Sequence, residues 1–115
     1  MKFLKLDKKI CCEDVIKSIY NLNELDIKTY KKLSKKKEIR ANELTKKLKK
    51  ERSTIYRSLQ RLIDSGLCNK NTKTIKRGGY YHTYNAVSKK EIKKNLEQCI
   101  EKWYKKIKKT LEELK

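Results

Sequence analysis

Proline is absent from this chain, and glycine occurs three times, as Gly66, Gly78 and Gly79. Tight turns therefore have few places to form, and helices should dominate. Histidine occurs once, as His82. No Ser-His-Asp or Cys-His-Asn set can be built on so little, and no paired acids sit in an apolar context. The pair Gly78–Gly79 is too short for a phosphate-cradling loop. Neither an enzyme nor a cofactor is expected. Long apolar runs are missing too: "MKFLKLDKKICC" carries a charge every two or three residues, which argues against a secretory signal and a bilayer-spanning helix. The expected location is cytoplasmic, with no membrane partner. Cys11, Cys12, Cys68 and Cys99 show no C-x-x-C spacing, so no metal site is expected. They read as small, partly buried thiols in a reducing compartment. The alternative is a redox sensor, since basic surroundings lower a thiol pKa.

Acids are scarce as well: 14 Asp and Glu stand against 33 Lys and Arg, a formal net charge of +19 over 115 residues. That length suits one small domain with one core. Charge of one sign at this level opposes compaction and calls for a polyanionic partner. Nucleic acid comes first and an anionic membrane surface second; a composition merely rich in lysine is the plainer reading. Arginine placement argues against the plainer one. From Arg52 to Lys90 the only acid is Asp64, against nine Lys or Arg.

What is present is helical periodicity, interrupted once. Cys12, Val15, Ile16, Ile19 and Leu22 share one face of a first helix, with Glu13 and Asp14 in its first turn, where the helix dipole favours acids. Asn23 is a candidate cap for a second helix carrying Leu25, Tyr30 and Leu33, flanked by Ile27. A third, short helix carries Ile39, Ala41, Leu44 and Leu48. Then comes "ERSTIYRSLQRLIDSGLCNK", with Ser53 as expected N-cap, a stripe of Ile55, Leu59, Leu62 and Ile63, and Gly66 at the position after the C-cap. Beyond Gly66 the period shortens. "LCNKNTKTIK" and "YYHTYNAV" flank "RGG", which is a hairpin signal. Ser88 and Glu91 form a capping box that opens a last helix; 28 helical residues would reach about 40 Å.

The expected fold is mainly α with a small β-hairpin: a winged helix-turn-helix flanked by N- and C-terminal helices. It divides into an N-terminal helical extension (1–22), a DNA-binding domain (23–87) and a C-terminal dimerisation helix (88–115). A recognition helix over about 53–65 would enter the major groove. Its candidate contacts are Arg52, Ser53, Thr54, Tyr56, Arg57, Gln60 and Arg61, residue types that pair with guanine, adenine or thymine edges. Lys73, Lys76 and Arg77 in a wing over 70–86 would meet the backbone or minor groove. Ile92, Leu96, Cys99, Ile100, Trp103, Ile107, Leu111 and Leu114 recur every three or four residues, a seam for a second copy.

The stretch "ELTKKLKKERSTIYRSLQRLIDSGLCNK" followed by "RGGYYHTYNAV" resembles the winged helix-turn-helix of the TrmB-type archaeal transcription regulators, with the MarR-type fold as a near neighbour. The resemblance covers about residues 24–90 and is most specific over "RSTIYRSLQRLIDSGL". It implies promoter binding as a dimer, with Ser53, Thr54, Tyr56 and Arg57 at groove-facing positions. This chain departs from the pattern in three places. Lys49 and Lys50 occupy the turn where such families carry glycine and an apolar plug. Tyr80-Tyr81 stands in place of a common Arg-Pro after the wing glycine. The chain ends without the sugar-binding domain of longer members, so no small-molecule effector is expected. The reading is a homodimeric, sequence-selective regulator on double-stranded DNA. The alternatives are an architectural protein that coats DNA with little sequence preference, and an adaptor inside a larger protein assembly.

Overall fold

A computed structural model describes residues 12–114. Five helices and one hairpin follow in the order α1 (Cys12–Tyr20), α2 (Glu24–Ser34), α3 (Ala41–Leu48), α4 (Arg52–Asp64), β1 (Cys68–Thr74), β2 (Tyr80–Ala86) and α5 (Lys89–Glu112). The expected mainly helical winged helix-turn-helix is the observed fold. Cys11 lies outside the described residues.

Each boundary has a local cause. Asn23 caps α2: its side chain accepts from the Asp26 amide at 2.9 Å, and Asp26 returns the bond from the Asn23 amide at 3.1 Å. α4 ends in a Schellman motif. The Leu67 amide reaches the Leu62 carbonyl at 2.9 Å and the Gly66 amide reaches Ile63 at 3.0 Å, while Gly66 takes φ +76°. Leu62 and Leu67, buried together, supply the apolar contact of that motif. The hairpin tip needs two successive positive φ values, at Gly78 and Gly79.

Two expected caps differ. The N-cap of α4 is Glu51, not Ser53, and it makes no side-chain cap bond. Ser53 lies exposed inside the first turn, because the N-cap falls two residues earlier than expected. Ser88 caps α5 by accepting from the Glu91 amide at 3.3 Å, one half of the capping box.

The core is built where α2, α3, α4 and the hairpin meet. Leu33, Leu44, Ile55, Leu59, Leu62 and Leu67 are its fully buried side chains, with Tyr84, Val87 and Ile92 joining from the hairpin and α5. Leu48 and Ile63 are only half-buried and line its margin. β1 and β2 pair antiparallel from Cys68↔Ala86 to Thr74↔Tyr80. Ile39 adds a single bridge to Tyr84, with reciprocal backbone bonds of 2.9 and 2.8 Å. That bridge fixes the wing against the start of α3.

Lys49 closes α3 in the left-handed region, at φ 53° and ψ 46°. An L side chain there costs about 1 kcal/mol. Lys49→Gly is accordingly expected to raise stability by up to about 1 kcal/mol, a few degrees in Tm. Thermal denaturation followed by circular dichroism reads this; a lower Tm for the variant would count against a strained turn.

Candidate nucleic-acid interface

α4 divides sharply. Ile55, Ser58, Leu59 and Leu62 face inward, and Arg52, Ser53, Tyr56, Arg57 and Gln60 face outward, with Thr54 half-buried between them. The outward set follows helical spacing, so it forms one surface. Its first turn holds no acid. Tyr56 is 41% exposed. Arg57 lies back along the helix, its Nε donating to the Ser53 carbonyl at 3.4 Å. Gln60 donates to Asp64 at 2.8 Å and is tethered toward the far end of the helix.

Arg61 is placed otherwise than the sequence reading has it. Its Nε and Nη2 donate to both oxygens of Asp26 at 2.9–3.1 Å, a bidentate pair between α4 and α2. Asp26 is fully buried. Its carboxylate also accepts from the Ser58 hydroxyl at 2.6 Å and the Asn23 amide at 3.1 Å. Burial alone would push this carboxyl up. The Arg61 and Ser58 donors, with the Asn23 amide, outweigh burial and hold it below the ordinary carboxylate range. The pair explains why Arg61 is needed at a half-buried position: it neutralises the one fully buried acid of the fold's described part, leaving the outer face of α4 to the other candidates.

Five arginines occur in the sequence. Among the described residues only Arg61 is ion-paired; Arg40, Arg52, Arg57 and Arg77 are not. Two of these four rest on rings instead. The Arg40 guanidinium sits 4.5 Å from the Tyr81 ring centre, and that of Arg52 5.7 Å from Tyr56. A ring face orients a guanidinium without consuming its N–H donors. Arg40, Asn42, Arg52, Tyr56, Tyr80, Tyr81 and His82 line a cleft between α4, the start of α3 and β2. Within it Tyr80 and His82 pack edge to face at 5.4 Å, and His82 lies 3.3 Å from the Thr72 hydroxyl.

In the wing, Lys76 and Arg77 stand exposed at the tip. Lys73 does not share that position. It lies 3.7 Å from Glu38, which also accepts from Thr83 at 3.2 Å, so it ties the tip-proximal half of the hairpin to the α2–α3 connection. Cys68 is buried, and burial pushes its thiol up to about 12, which disfavours the reactive thiolate form. Cys99 is exposed on α5. Among the described residues no helix is long and apolar enough to cross a membrane.

The seam on α5 splits in two. Ile92 is buried in the chain's own core and Leu96 packs against it, so these two are not free for a second copy. Further along, Ile100, Trp103, Ile107, Leu111 and Leu114 are exposed, and Tyr104 joins them at 61%.

Sequence reasoning missed Asp26, Ser58 and Arg40. The Asn23-x-x-Asp26 spacing shows the cap, but the partner of that acid is 35 residues away in sequence. Arg40 precedes the helix-turn-helix in sequence and joins the surface only through the neighbouring Ile39–Tyr84 bridge.

Comparison with known proteins places this geometry. The model of a family described as the sugar-specific transcriptional regulator TrmB matches residues 16–90. An uncharacterised protein of Methanocaldococcus jannaschii is 30% identical over 102 residues, covering 89% of this chain and 77% of that protein. A possible transcriptional regulator from Methanosarcina mazei Go1 is 26% identical in sequence. Its solved structure superposes with a TM-score of 0.79 over 98% of this chain and 96% of that one. The multiple antibiotic resistance repressor MarR shares the fold at a TM-score of 0.51 and 16% identity, over 93% of this chain and 85% of its own.

Proposed function

This chain belongs to the TrmB family of transcriptional regulators, and from that premise we propose that it is a homodimer that binds double-stranded DNA with sequence selectivity. A winged-helix transcriptional regulator is not an enzyme, and its family implies DNA as the partner. α4 would lie in the major groove, with Tyr56 and Arg57 reading bases and Ser53, Thr54 and Gln60 beside them. Lys76 and Arg77 of the wing would meet phosphate or the minor groove, and the protein would act in the cytoplasm. The observation that supports this most is the outward face of α4: an acid-free first turn, with Arg52 and Arg57 unpaired by any acid among the described residues.

The dimer rests on a separate observation. The chain extends 67 Å along its longest axis with a radius of gyration of 17.4 Å, whereas a compact chain of this length has about 13 Å. The distal half of α5 projects from the body and carries a continuous apolar face. Monomers rarely expose such a face. A twofold pairing would cover it and set two copies of α4 about 34 Å apart, or a multiple of that, on a palindromic site.

Selection of bound sequences from random duplexes tests the reading directly. A consensus with twofold symmetry is expected; enrichment of no sequence would favour the coating protein, which the lysine excess also suits. On the selected site, Tyr56→Ala and Arg57→Ala should each cost about 1–3 kcal/mol in binding and far less on scrambled DNA. Equal losses on both would reduce these residues to backbone contacts. Arg77→Ala should weaken binding to all duplexes alike and flatten the salt dependence by about one unit of slope. An unchanged slope would leave the wing tip in solvent.

A further inference from the structure

The cleft beside α4 gathers two arginines and four tyrosines on one concave surface, and most of them have no part in the base reading proposed above. Three observations define it. Arg40 and Arg52 stand on its walls without an acidic partner among the described residues, each laid on a tyrosine ring. Tyr80, 67% exposed, and half-buried Tyr81 offer hydroxyl groups and ring faces from β2. The Ile39–Tyr84 bridge holds the two walls at a fixed separation, since it joins the start of α3 to β2 directly.

The position of the cleft decides its occupant. In duplex DNA the sugar–phosphate strand is the ridge that separates the major groove from the minor groove. A protein that sends one element into each groove must straddle that ridge. α4 supplies one wall of this cleft and β2 another, and Tyr80 on that β2 wall directly follows the wing tip in the chain. We infer that the cleft receives the sugar–phosphate strand between the two grooves, with Arg40 and Arg52 on a phosphodiester and Tyr80 and Tyr81 against the adjoining deoxyribose. This rests on the DNA-binding reading above and extends it beyond α4 and the wing tip to Arg40, Tyr80 and Tyr81.

The chemistry fits a phosphate ester better than a bare anion. A guanidinium placed over a ring face keeps its N–H donors available, in the fork geometry that a phosphate accepts. The ring beside it offers an apolar surface of about the size of a sugar. A free phosphate would use the first and leave the second in water. Arg40 is also placed where lysine could not replace it fully, because an ammonium has no plane to lie on Tyr81.

The test uses the full chain and duplexes of the selected site in which one phosphate at a time is replaced by a neutral methylphosphonate. The wild type should lose about tenfold in affinity at one or two linkages lying between the bases contacted by α4 and those under the wing. Arg40→Ala should lose about tenfold on the fully charged duplex, show a salt slope lower by about 0.9, and become insensitive to those same linkages. Tyr81→Phe should bind nearly as the wild type does, and Tyr81→Ala should resemble Arg40→Ala. Arg40→Lys should keep the salt slope and lose part of the affinity. Arg40 is exposed, so its replacement leaves the core intact, which thermal melting checks. Wild-type affinity and wild-type linkage sensitivity in Arg40→Ala would overturn the inference while leaving α4 as the reading head. Absence of duplex binding by the wild type itself would remove both.

Discussion

Arg61→Ala is expected to lower the free energy of unfolding by about 3 kcal/mol. The substitution removes the guanidinium and leaves a fully buried carboxylate with only the Ser58 hydroxyl and the Asn23 amide to hold it. Breaking one side of such a pair is far more destabilising than never having had it, because the remaining charge is desolvated without compensation. The figure is a large share of the 5–15 kcal/mol that keeps a small domain folded. The acid limb distinguishes this cause from a general loss of packing. In the parent, Asp26 is held below its ordinary range in the folded state. Its contribution is therefore complete above the unfolded value near pH 4 and is lost as the pH falls through the lower folded value. In Arg61→Ala the folded carboxyl moves up toward its unfolded value, so this part of the pH dependence flattens. Asp26→Asn should flatten it too. Urea unfolding from pH 3 to 7 measures both. Unchanged stability with an unchanged acid limb would show the pair to be incidental. The folded fraction of Arg61→Ala should still discriminate the selected site from scrambled DNA; loss of that discrimination would return Arg61 to the reading surface.

The second large effect falls on DNA binding through a surface that touches no DNA. Ile107→Asp with Leu111→Asp should give a monomer with its thermal unfolding little changed, because both side chains are exposed in the single chain. Affinity for a palindromic site should fall by about a hundredfold or more, since two linked heads gain about 10²–10⁴ over one. Affinity for an isolated half-site should stay as it was. Truncation after Gln98 should act in the same direction while keeping Ile92 and Leu96 in the core. Analytical ultracentrifugation at micromolar concentration gives the mass. A monomeric mass for the parent, with palindrome affinity untouched by the aspartates, would reject the dimer and the twofold site together.

How much of this was legible in the sequence depends on the distance over which each cause acts. Helix faces, the Gly66 stop and the glycine-tipped hairpin are local, and the residues that specify them are neighbours; α4 begins and ends within one residue of the expected 53–65. The strained turn at Lys49 was also legible, because the fold demands a left-handed residue there whatever the side chain. Arg61 was not. Its spacing along α4 places it near the outer face, and only the packing of α2 across the helix, with Asp26 beneath, turns it inward. Lys73 reads as a wing contact for the same reason, until Glu38 from the α2–α3 connection is brought beside it. The α5 seam shows a third limit: periodicity marks which side of a helix is apolar, not which neighbour covers it. Ile92 and Leu96 pack in the chain's own core, whereas Ile107, Leu111 and Leu114 further along are exposed.

α5 is an unbroken helix from Lys89 to Glu112, and in a dimer built on its distal half that continuity makes it a ruler. Each residue of an α-helix advances about 1.5 Å and turns about 100°. One residue inserted between Leu96 and Ile100 would leave the domain and the apolar face intact, yet swing that face about a third of a turn relative to the wing. Seven inserted residues would nearly restore the phase, within about 20°, and move each reading head about 10 Å outward. The spacing of two half-sites on DNA would then be written in a residue count, in a segment that meets neither a base nor the core. Regulators of this build could change operators by insertion alone, with every contact to DNA unaltered.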